Sequence, residues 1–326
     1  MRVLITGALG HIGSKFIHSL VPGAYDEVVL LDNLSTQRYC SLFDLPRQVP
    51  FRFVKEDLCT GDLVKLFEGI DAVVHLAAVT DAVESFANGQ QVERVNFEGT
   101  IRVAEACIAS GCRLVLLSTT SVYGTQKDVV DESCSRDELK PQSPYAASKL
   151  QAEEWLQNIG RPRGLRFVIC RFGTIFGPSI GMRFHTAINK FVLQAVLGEP
   201  LTVWRTALEQ KRPYLDVEDA VRALRFVVDG DHFDGGVYNV LTANATVRQI
   251  VDVIRARIPD VEVKLVDERI MNQLSYEVLC DRFRGLGFTP TGRLDRGIEA
   301  TIDLLASLHG LAADPSSRLI SDGSPA

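Results

Sequence analysis

The sequence has little that would suit a membrane, a disulfide framework, a metal site or nucleic acid. No apolar run in its 326 residues approaches the roughly 20 residues of a membrane-spanning helix. Its seven cysteines form no C-x-x-C motif, and their odd number favours reduced thiols. Six scattered histidines offer no metal-ligand cluster, and a net charge of −6 disfavours nucleic acid and anionic membranes. The first residues enter a core strand without a signal peptide, so we expect a cytoplasmic protein that binds no metal, membrane or nucleic acid.

The N-terminal sequence runs from a short apolar strand into three glycines at the start of a helix. Residues 3–5 are typical of a buried strand, and residues 14–20 of an amphipathic helix. Gly7 allows a tight turn, Gly10 lets backbone N–H groups approach a pyrophosphate, and Gly13 lets the helix pack closely on the strand. This spacing is a variant of the dinucleotide-binding fingerprint.

An acidic residue, Asp32, ends the next apolar strand, at residues 28–32. A carboxylate there can accept hydrogen bonds from the ribose diol of adenosine and would repel a 2′-phosphate. The sequence therefore predicts NAD rather than NADP as the cofactor. Arg38 follows closely enough to keep that preference open.

Strands and helices then alternate, as in a doubly wound α/β fold built on a parallel (Rossmann) sheet. Further strands are predicted at residues 51–54, 72–78, 114–117, 168–170 and 237–240, with a helix at 96–110. We expect a NAD-binding domain at residues 1–172 plus about 213–241. A smaller mixed α/β substrate lobe, at about 173–212 plus 242–305, would close over the carboxyl ends of the strands. Residues 306–326 are predicted to be a disordered tail.

The segment from Ser143 to Lys149 carries the candidate chemistry. Ser143 is a plausible N-cap with Pro144 at the first helical position, which places Tyr145 and Lys149 on one helix face. The strand at 114–117 delivers the hydroxyl-rich residues 118–124 to the same sheet edge. An ammonium and a positive nicotinamide ring both favour the phenolate, so the pKa of Tyr145 should fall from about 10 towards values useful for a general base.

Together these segments resemble the extended short-chain dehydrogenase/reductases of the NAD-dependent epimerase/dehydratase family, and most closely its nucleotide-sugar enzymes. The resemblance covers roughly residues 1–305. It is carried by Thr6-Gly-Ala-Leu-Gly-His-Ile-Gly13, Asp32-Asn-Leu-Ser35, Asp57-Leu58, His75-Leu-Ala-Ala78, Asn96 with Gly99-Thr100, Ser118 to Gly124, Tyr145/Lys149, Phe176-Gly-Pro178 and Val217-Glu-Asp219.

The resemblance implies a set of site residues. The catalytic residues would be Thr119, Tyr145 and Lys149. The cofactor residues would be Gly7, Gly10, His11, Ile12, Gly13, Asp32, Asn33, Asp57, Leu58, Leu76, Ala77, Ala78, Asn96, Tyr145 and Lys149. Asp57 and Leu58 would border the adenine.

Departures from the family pattern narrow the reaction. The family's 4,6-dehydratases carry an Asp-Glu pair directly after the catalytic threonine, and its decarboxylases carry a Glu before Val-Tyr-Gly. Thr120 and Ser121 occupy those places here, so elimination is disfavoured. Epimerisation at C4 needs Tyr145 to take the hydroxyl proton and Thr119 to hold O4 while a 4-keto sugar turns over.

The resemblance also implies substrate contacts. Trp204 would stack on the nucleobase, although a core position is the alternative. Arg212 and Arg269 would bind the diphosphate, or else form surface ion pairs. The remaining candidates near the sugar or phosphate are Asp81, Thr120 and Thr174.

For Asp81 an exposed loop carboxylate is the stronger interpretation. Two mismatches weaken the substrate assignment. Thr174 replaces an Asn that relatives use at the phosphate, and residues 205–210 replace a glycine-rich turn. A carboxylated sugar, or a substrate that is not a nucleotide sugar, therefore stays open.

Three functions remain after these arguments. A nucleotide-sugar 4-epimerase comes first, a reductase of a keto sugar or other carbinol second, and a non-catalytic NAD-binding sensor third. The intact Thr119/Tyr145/Lys149 set argues against the sensor, and Asp32 argues against a reductase that uses NADPH. Helices near residues 99–110 and 145–157 pair across a dimer in this family, so we expect a homodimer.

We predict that Asp32→Ala weakens the binding of NAD far more than that of NADP, because only the unphosphorylated ribose uses the carboxylate. Dissociation constants for both cofactors, measured by calorimetry on the parent and the variant, test this. Equal losses for the two cofactors would remove the basis of the assignment.

Overall fold

The computed structural model describes residues 1–124, 127–267 and 275–308. These ranges contain the strands β1 (Arg2–Thr6), β2 (Glu27–Asp32), β3 (Phe51–Lys55), β4 (Ala72–His75), β5 (Arg113–Thr119), β6 (Val129–Val130), β7 (Phe167–Phe172), β8 (Thr174–Phe176), β9 (Leu201–Trp204), β10 (Lys211–Asp216), β11 (Val237–Val240), β12 (Ala243–Thr246), β13 (Val263–Val266) and β14 (Glu277–Val278). They also contain the α-helices α1 (His11–His18), α2 (Leu63–Phe67), α3 (Gly89–Val92), α4 (Gly99–Ser110), α5 (Pro144–Trp155), α6 (Ala187–Val196), α7 (Val217–Asp229), α8 (Val247–Arg257), α9 (Asp281–Gly285) and α10 (Leu294–Leu305).

Seven strands form one parallel sheet in the order β11-β7-β5-β4-β1-β2-β3. From β1 the chain winds outward to β2 and β3, then returns to the other side of β1 with β4. This reversal leaves a crevice outside the carboxyl ends of β1 and β4, the usual ligand site of open α/β sheets. The predicted doubly wound fold is confirmed.

Helices cover both faces of this sheet because its strands are apolar on both sides. Along β1, Val3 and Ile5 belong to one buried cluster with α1 and α7, whereas Leu4 belongs to a second cluster with α4 and α5. Successive side chains of a strand point to opposite faces, so a continuous apolar run requires two helical layers. The helix α5, which carries the predicted catalytic residues Tyr145 and Lys149, is thereby packed against the sheet.

A separate apolar core holds the smaller lobe together, and Ile188, Ile250 and Ile298 contribute to it from α6, α8 and α10. Here β10 pairs with β8 in parallel and with β12 antiparallel, while β9 pairs with β13. Residues 213–216 of β10, predicted with the NAD-binding domain, thus pair within the smaller sheet. The exact domain boundaries stay a prediction.

Some predicted elements differ in their bounds. Strand β4 ends at His75 rather than at residue 78, because the N–H of Ala77 turns away from the sheet to the Thr6 hydroxyl. The helix predicted from residue 96 begins earlier, since α3 and a π-helical stretch at Glu93–Glu98 lead directly into α4.

The predicted disordered tail starts with a 3-10 turn at Ala306–Leu308 that continues α10, and the rest of it lies outside the described residues. Within the described ranges, no helix is long and apolar enough to cross a membrane.

Candidate active site

A cavity of about 790 Å³ lies along the carboxyl edge of the large sheet. One side is formed by the glycine-rich loop and by the residues that follow β4, β5 and β7. The other side is formed by α6, β9 and β10 of the smaller lobe. The cavity therefore lies between the two lobes, where a ligand can touch both.

The glycine-rich loop fits a dinucleotide phosphate. Gly7 has a φ of +64°, and a Cβ there would lie 2.7 Å from the Cα of Ala77. A Cβ on Gly13 would lie 2.5 Å from the carbonyl oxygen of Ala8. Gly10 precedes α1 without a side-chain cap, so the first N–H groups of the helix are available to an anion. Gly7, Gly10, His11, Ile12 and Gly13 all line the cavity.

Asp32 is held at the end of β2 by two backbone groups. Its oxygens accept hydrogen bonds from the N–H of Leu9 at 3.2 Å and of Leu34 at 2.9 Å. Arg38 lies within electrostatic reach, and among the described residues its buried Nη1 has no hydrogen-bond partner. A ribose diol can still reach the free lone pairs of the carboxylate.

The other residues predicted at the adenine end gather beside Asp32. Asn33 donates to Asp57 at 3.0 Å, and Leu58 is buried next to them. Asp32, Asn33, Asp57 and Leu58 are not among the residues that line the cavity.

A chain of buried hydrogen bonds fixes the conformation of the loop after β4. The N–H of Ala77 donates to the Thr6 hydroxyl at 3.2 Å, and Thr6 contacts Nδ1 of His75 at 2.7 Å. Nε2 of His75 contacts the Thr100 hydroxyl at 2.9 Å, which donates to the carbonyl of Asn96. Burial lowers the pKa of His75 to about 3, so the ring is neutral and can both donate and accept. Leu76 and Ala78 then line the cavity, while Ala77 packs behind Gly7.

Asn96 does not line the cavity; its side chain forms hydrogen bonds with the backbone of the loop after β4. Its amide accepts from the N–H of Val79 at 2.8 Å and donates to the carbonyl of Val79 at 2.9 Å. It also donates to the Ser148 hydroxyl on α5 at 3.3 Å. Asn96 therefore joins the loop after β4 to the helix that carries Tyr145.

The predicted catalytic residues meet in the cavity. Ser143 caps α5 by accepting from the N–H of Ala146 at 3.2 Å, and Pro144 occupies the first turn, which confirms the predicted helix start. The Thr119 hydroxyl lies near the Tyr145 phenol and favours its deprotonation, and both residues line the cavity with Lys149.

Burial has the largest effect on the pKa values of Tyr145 and Lys149. It raises the pKa of Tyr145 to about 12, although Thr119 and Arg183 act in the opposite direction. It lowers the pKa of Lys149 to about 8, opposed by Glu153. The low tyrosine pKa expected from the sequence is therefore not a property of the chain alone.

The structure brings most of the predicted substrate residues together. Asp81, Thr174, Trp204 and Arg212 line the same cavity. Thr120 does not, because its hydroxyl is buried and donates to the carbonyl of Phe172 at 3.4 Å. Arg269 lies outside the described residues.

Sequence reasoning missed several polar residues of the cavity wall, namely Thr80, Arg183, His185, Lys190 and Gln210. Arg183 donates to the Thr80 hydroxyl and lies within electrostatic reach of Tyr145 and Asp81. The sequence did contain a signal for these residues. Three basic residues occur within the 12 positions after the Phe176-Gly-Pro178 block, although the chain as a whole is acidic.

The segment at residues 177–183 lies directly on the glycine-rich loop. Burial lowers the pKa of His11 to about 4, so its neutral ring can donate from Nε2 to the carbonyl of Gly177 at 2.9 Å. The N–H of Gly181 donates to the Ser14 hydroxyl at 2.9 Å. A Cβ on Gly181 would lie 2.4 Å from the carbonyl oxygen of Leu9. This segment therefore fixes the outer side of the loop.

Comparison with known proteins agrees with this geometry. Residues 3–240 match the NAD dependent epimerase/dehydratase family. The chain belongs to this family. NAD is the cofactor of the family, and the glycine cradle described above fits it.

Relatives within the family differ in their reactions. The chain is 32% identical over 322 residues to a trifunctional UDP-glucose 4,6-dehydratase/UDP-4-keto-6-deoxy-D-glucose 3,5-epimerase/UDP-4-keto-L-rhamnose-reductase of Arabidopsis thaliana. The match covers 93% of this chain and 46% of that protein, so the chain spans about half the relative's length.

Two solved structures are close in fold. DesIV, a dTDP-glucose 4,6-dehydratase of Streptomyces venezuelae with NAD bound, is 28% identical with a TM-score of 0.85, covering 95% of this chain and 98% of that one. UDP-glucuronic acid 4-epimerase of Bacillus cereus, in complex with UDP-glucuronic acid and NAD, is 26% identical with a TM-score of 0.84, covering 94% and 100%. Epimerases and dehydratases thus share this fold.

We predict that Gly181→Ala weakens NAD binding by about tenfold, because the new methyl group must displace the glycine-rich loop, and overpacking costs roughly 1–3 kcal/mol. Calorimetric titration with NAD measures the effect. Gly89→Ala is the matched control, since a Cβ there meets nothing within 4 Å. Unchanged affinity in a folded Gly181→Ala protein would contradict the contact.

Arg212→Ala is expected to raise the substrate KM about tenfold to a hundredfold and to leave NAD affinity unchanged, because a charge-assisted hydrogen bond contributes roughly 1.5–3 kcal/mol. Steady-state kinetics and inhibition by uridine or thymidine diphosphate check this. Arg205→Ala is the control, since Arg205 is exposed and paired with Asp267 at 3.0 Å. If neither diphosphate competes with substrate in the parent protein, the nucleotide-sugar assignment is wrong.

Proposed function

We propose that this chain is an NAD-dependent nucleotide-sugar epimerase that inverts C4 through a transient 4-keto intermediate. The observation that carries the proposal is the Thr119–Tyr145 pair in a cavity with one carboxyl group. Of the described residues that line this cavity, Asp81 alone is acidic. The site can therefore move a hydroxyl proton, but it lacks the pair of acids that elimination of water would use.

In this proposal Tyr145 accepts the proton of the C4 hydroxyl and later returns it. Thr119, which lies near the phenol, holds O4 in reach of both groups. Lys149 lies one helical turn after Tyr145, and its positive charge stabilises the phenolate. NAD, when bound, supplies the hydride acceptor and donor and adds a positive charge beside the phenol.

Asp81 is poorly placed to act as a second acid. One of its oxygens accepts from the N–H groups of Val83 and Glu84, both at 2.9 Å, and so caps the short helical turn that follows. Thr120, where the family's dehydratases carry Asp, is buried against Phe172. Both observations support epimerisation over elimination, although dehydratases are among the relatives.

The smaller lobe supports a nucleotide diphosphate as the carrier of the sugar. Trp204 at the end of β9 and Arg212 on the neighbouring β10 offer an aromatic face and a guanidinium to the same cavity. These are the groups that bind a base and a diphosphate. Arg269 would add a second guanidinium. A homodimer through α4 and α5 is part of the proposal, and analytical ultracentrifugation tests it.

The direct test incubates the purified protein with a panel of UDP- and dTDP-sugars, neutral and carboxylated, without added cofactor. We expect an equilibrium mixture of C4 epimers, detected by NMR, with no net change in NADH. Formation of a 4-keto-6-deoxy sugar would show a dehydratase instead. Net oxidation of NADH with a keto substrate would favour the reductase.

Tyr145→Phe should reduce kcat by about 10²- to 10⁴-fold while NAD stays bound, because the ring remains and the proton acceptor is lost. Epimer formation and bound NAD per chain are the two measurements. Tyr39→Phe, which alters a half-exposed tyrosine, is the control. Near-normal turnover in Tyr145→Phe would assign the base to another residue, with Asp81 first to be examined.

A further inference from the structure

A buried carboxylate lies one helical turn beyond Lys149. Glu153 is on the same face of α5 as Tyr145 and Lys149, at intervals of four residues. Only 3% of Glu153 and 5% of its partner Arg171 are exposed. Arg171 donates to Glu153 Oε1 from Nε at 3.0 Å and to Oε2 from Nη2 at 2.6 Å. The pair is therefore fully desolvated and bidentate.

The same carboxylate also reaches the strand that carries Thr119. Ser118, the residue before Thr119 on β5, donates to Glu153 Oε1. Arg171 is the register partner of Ser118 on β7, and its guanidinium lies 4.9 Å from the ring centre of Tyr123. Glu153 thus connects α5, which carries Tyr145 and Lys149, to the two strands that end at the cavity.

Stability alone is a weak reason for such a pair. Removing each charge from water costs several kcal/mol, and apolar residues of similar volume often replace a buried ion pair without loss. The pair has a second role at Lys149. Burial lowers the pKa of Lys149, and Glu153 is the charged group that opposes this effect by favouring the ammonium. The neutral His75 on β4 lies within electrostatic reach of Lys149, and Tyr145, Ser118 and Thr119 line the same cavity as Lys149.

We propose that Glu153 is a positioning residue for the proton transfer, and that, held by Arg171 and Ser118, it keeps the Lys149 ammonium charged behind Tyr145. The effect on turnover rests on the proposed function. The effect on the protonation of Lys149 does not, so the two can fail separately.

The first experiment titrates Lys149 directly. Lysine labelled with ¹³C at Cε gives an NMR resonance for each ammonium, and the Lys149→Arg variant identifies the one of interest. In Glu153→Gln we expect the Lys149 pKa to fall by about one to three units, the usual effect of losing a nearby opposite charge. Glu105→Gln is the matched control, because Glu105 forms an exposed ion pair with Arg163 and should leave Lys149 unchanged.

The second experiment separates positioning from packing. The double variant Glu153→Leu/Arg171→Leu replaces the ion pair with apolar contacts that can support the fold. If the pair only supported the fold, this protein would titrate and turn over like the parent. We expect instead the lowered Lys149 pKa and a kcat reduced by about tenfold or more, with KM and bound NAD unchanged. The alkaline limb of the kcat–pH profile should move to lower pH in both variants.

The outcomes decide the proposal. An unchanged Lys149 titration in either folded variant overturns it. Failure of both variants to fold also overturns it, because the carboxylate would then be needed by the fold itself. If the parent forms no epimer from any sugar, the proposed function is wrong, while the NMR titration still tests the role of Glu153.

Discussion

Three ionisable side chains are buried at the candidate active site, and the position of α5, the helix that carries Tyr145, depends on the ion pair that two of them form. Lys149 and Glu153 lie on one face of α5, and Arg171 lies on β7. An unpaired ion in a protein interior costs several kcal/mol, so Glu153 and Arg171 stabilise each other by staying in contact. This contact, together with that of Ser118 and Glu153, holds α5 against β5 and β7. Tyr145, one turn before Lys149, is then brought to the hydroxyl of Thr119.

Hydrogen bonds between uncharged groups connect the cofactor side of the site to α5. The chain from Ala77 through Thr6, His75 and Thr100 ends at the backbone of Asn96. The side chain of Asn96 then holds Val79 and reaches Ser148 on α5. The side chains of Thr6, His75, Thr100 and Asn96 are buried, and leaving one of them unpaired would cost roughly 1–3 kcal/mol. A shift of the loop after β4 is consequently transmitted to α5, so the glycine cradle and Tyr145 keep a fixed relative position.

Much of the fold and of the candidate site could be predicted from short sequence patterns. The glycine spacing, the Ser143 cap and the Tyr145/Lys149 interval are short-range patterns, and the apolar strands specify a parallel sheet covered on both faces. The features that could not be predicted from the sequence depend on tertiary contacts. Glu153 and Arg171 become partners only through the position of α5 on β7, and Arg183 reaches Thr80 only because residues 177–183 lie back on the glycine-rich loop. Likewise, nothing near Thr120 in the sequence indicates that its hydroxyl turns inward to Phe172.

Charge is distributed in this chain in a way that favours anionic ligands. The sequence carries a net charge of −6, yet the described wall of the cavity contains Lys149, Arg183, Lys190 and Arg212 against the single carboxylate of Asp81. Like charges collected in a partly enclosed space repel one another, and the low surrounding dielectric strengthens that repulsion. A dinucleotide and a nucleotide diphosphate would relieve it, because each brings two phosphates. The low-dielectric walls of the cavity also focus this positive potential, which favours the approach of such ligands to the edge of the sheet where Tyr145 lies.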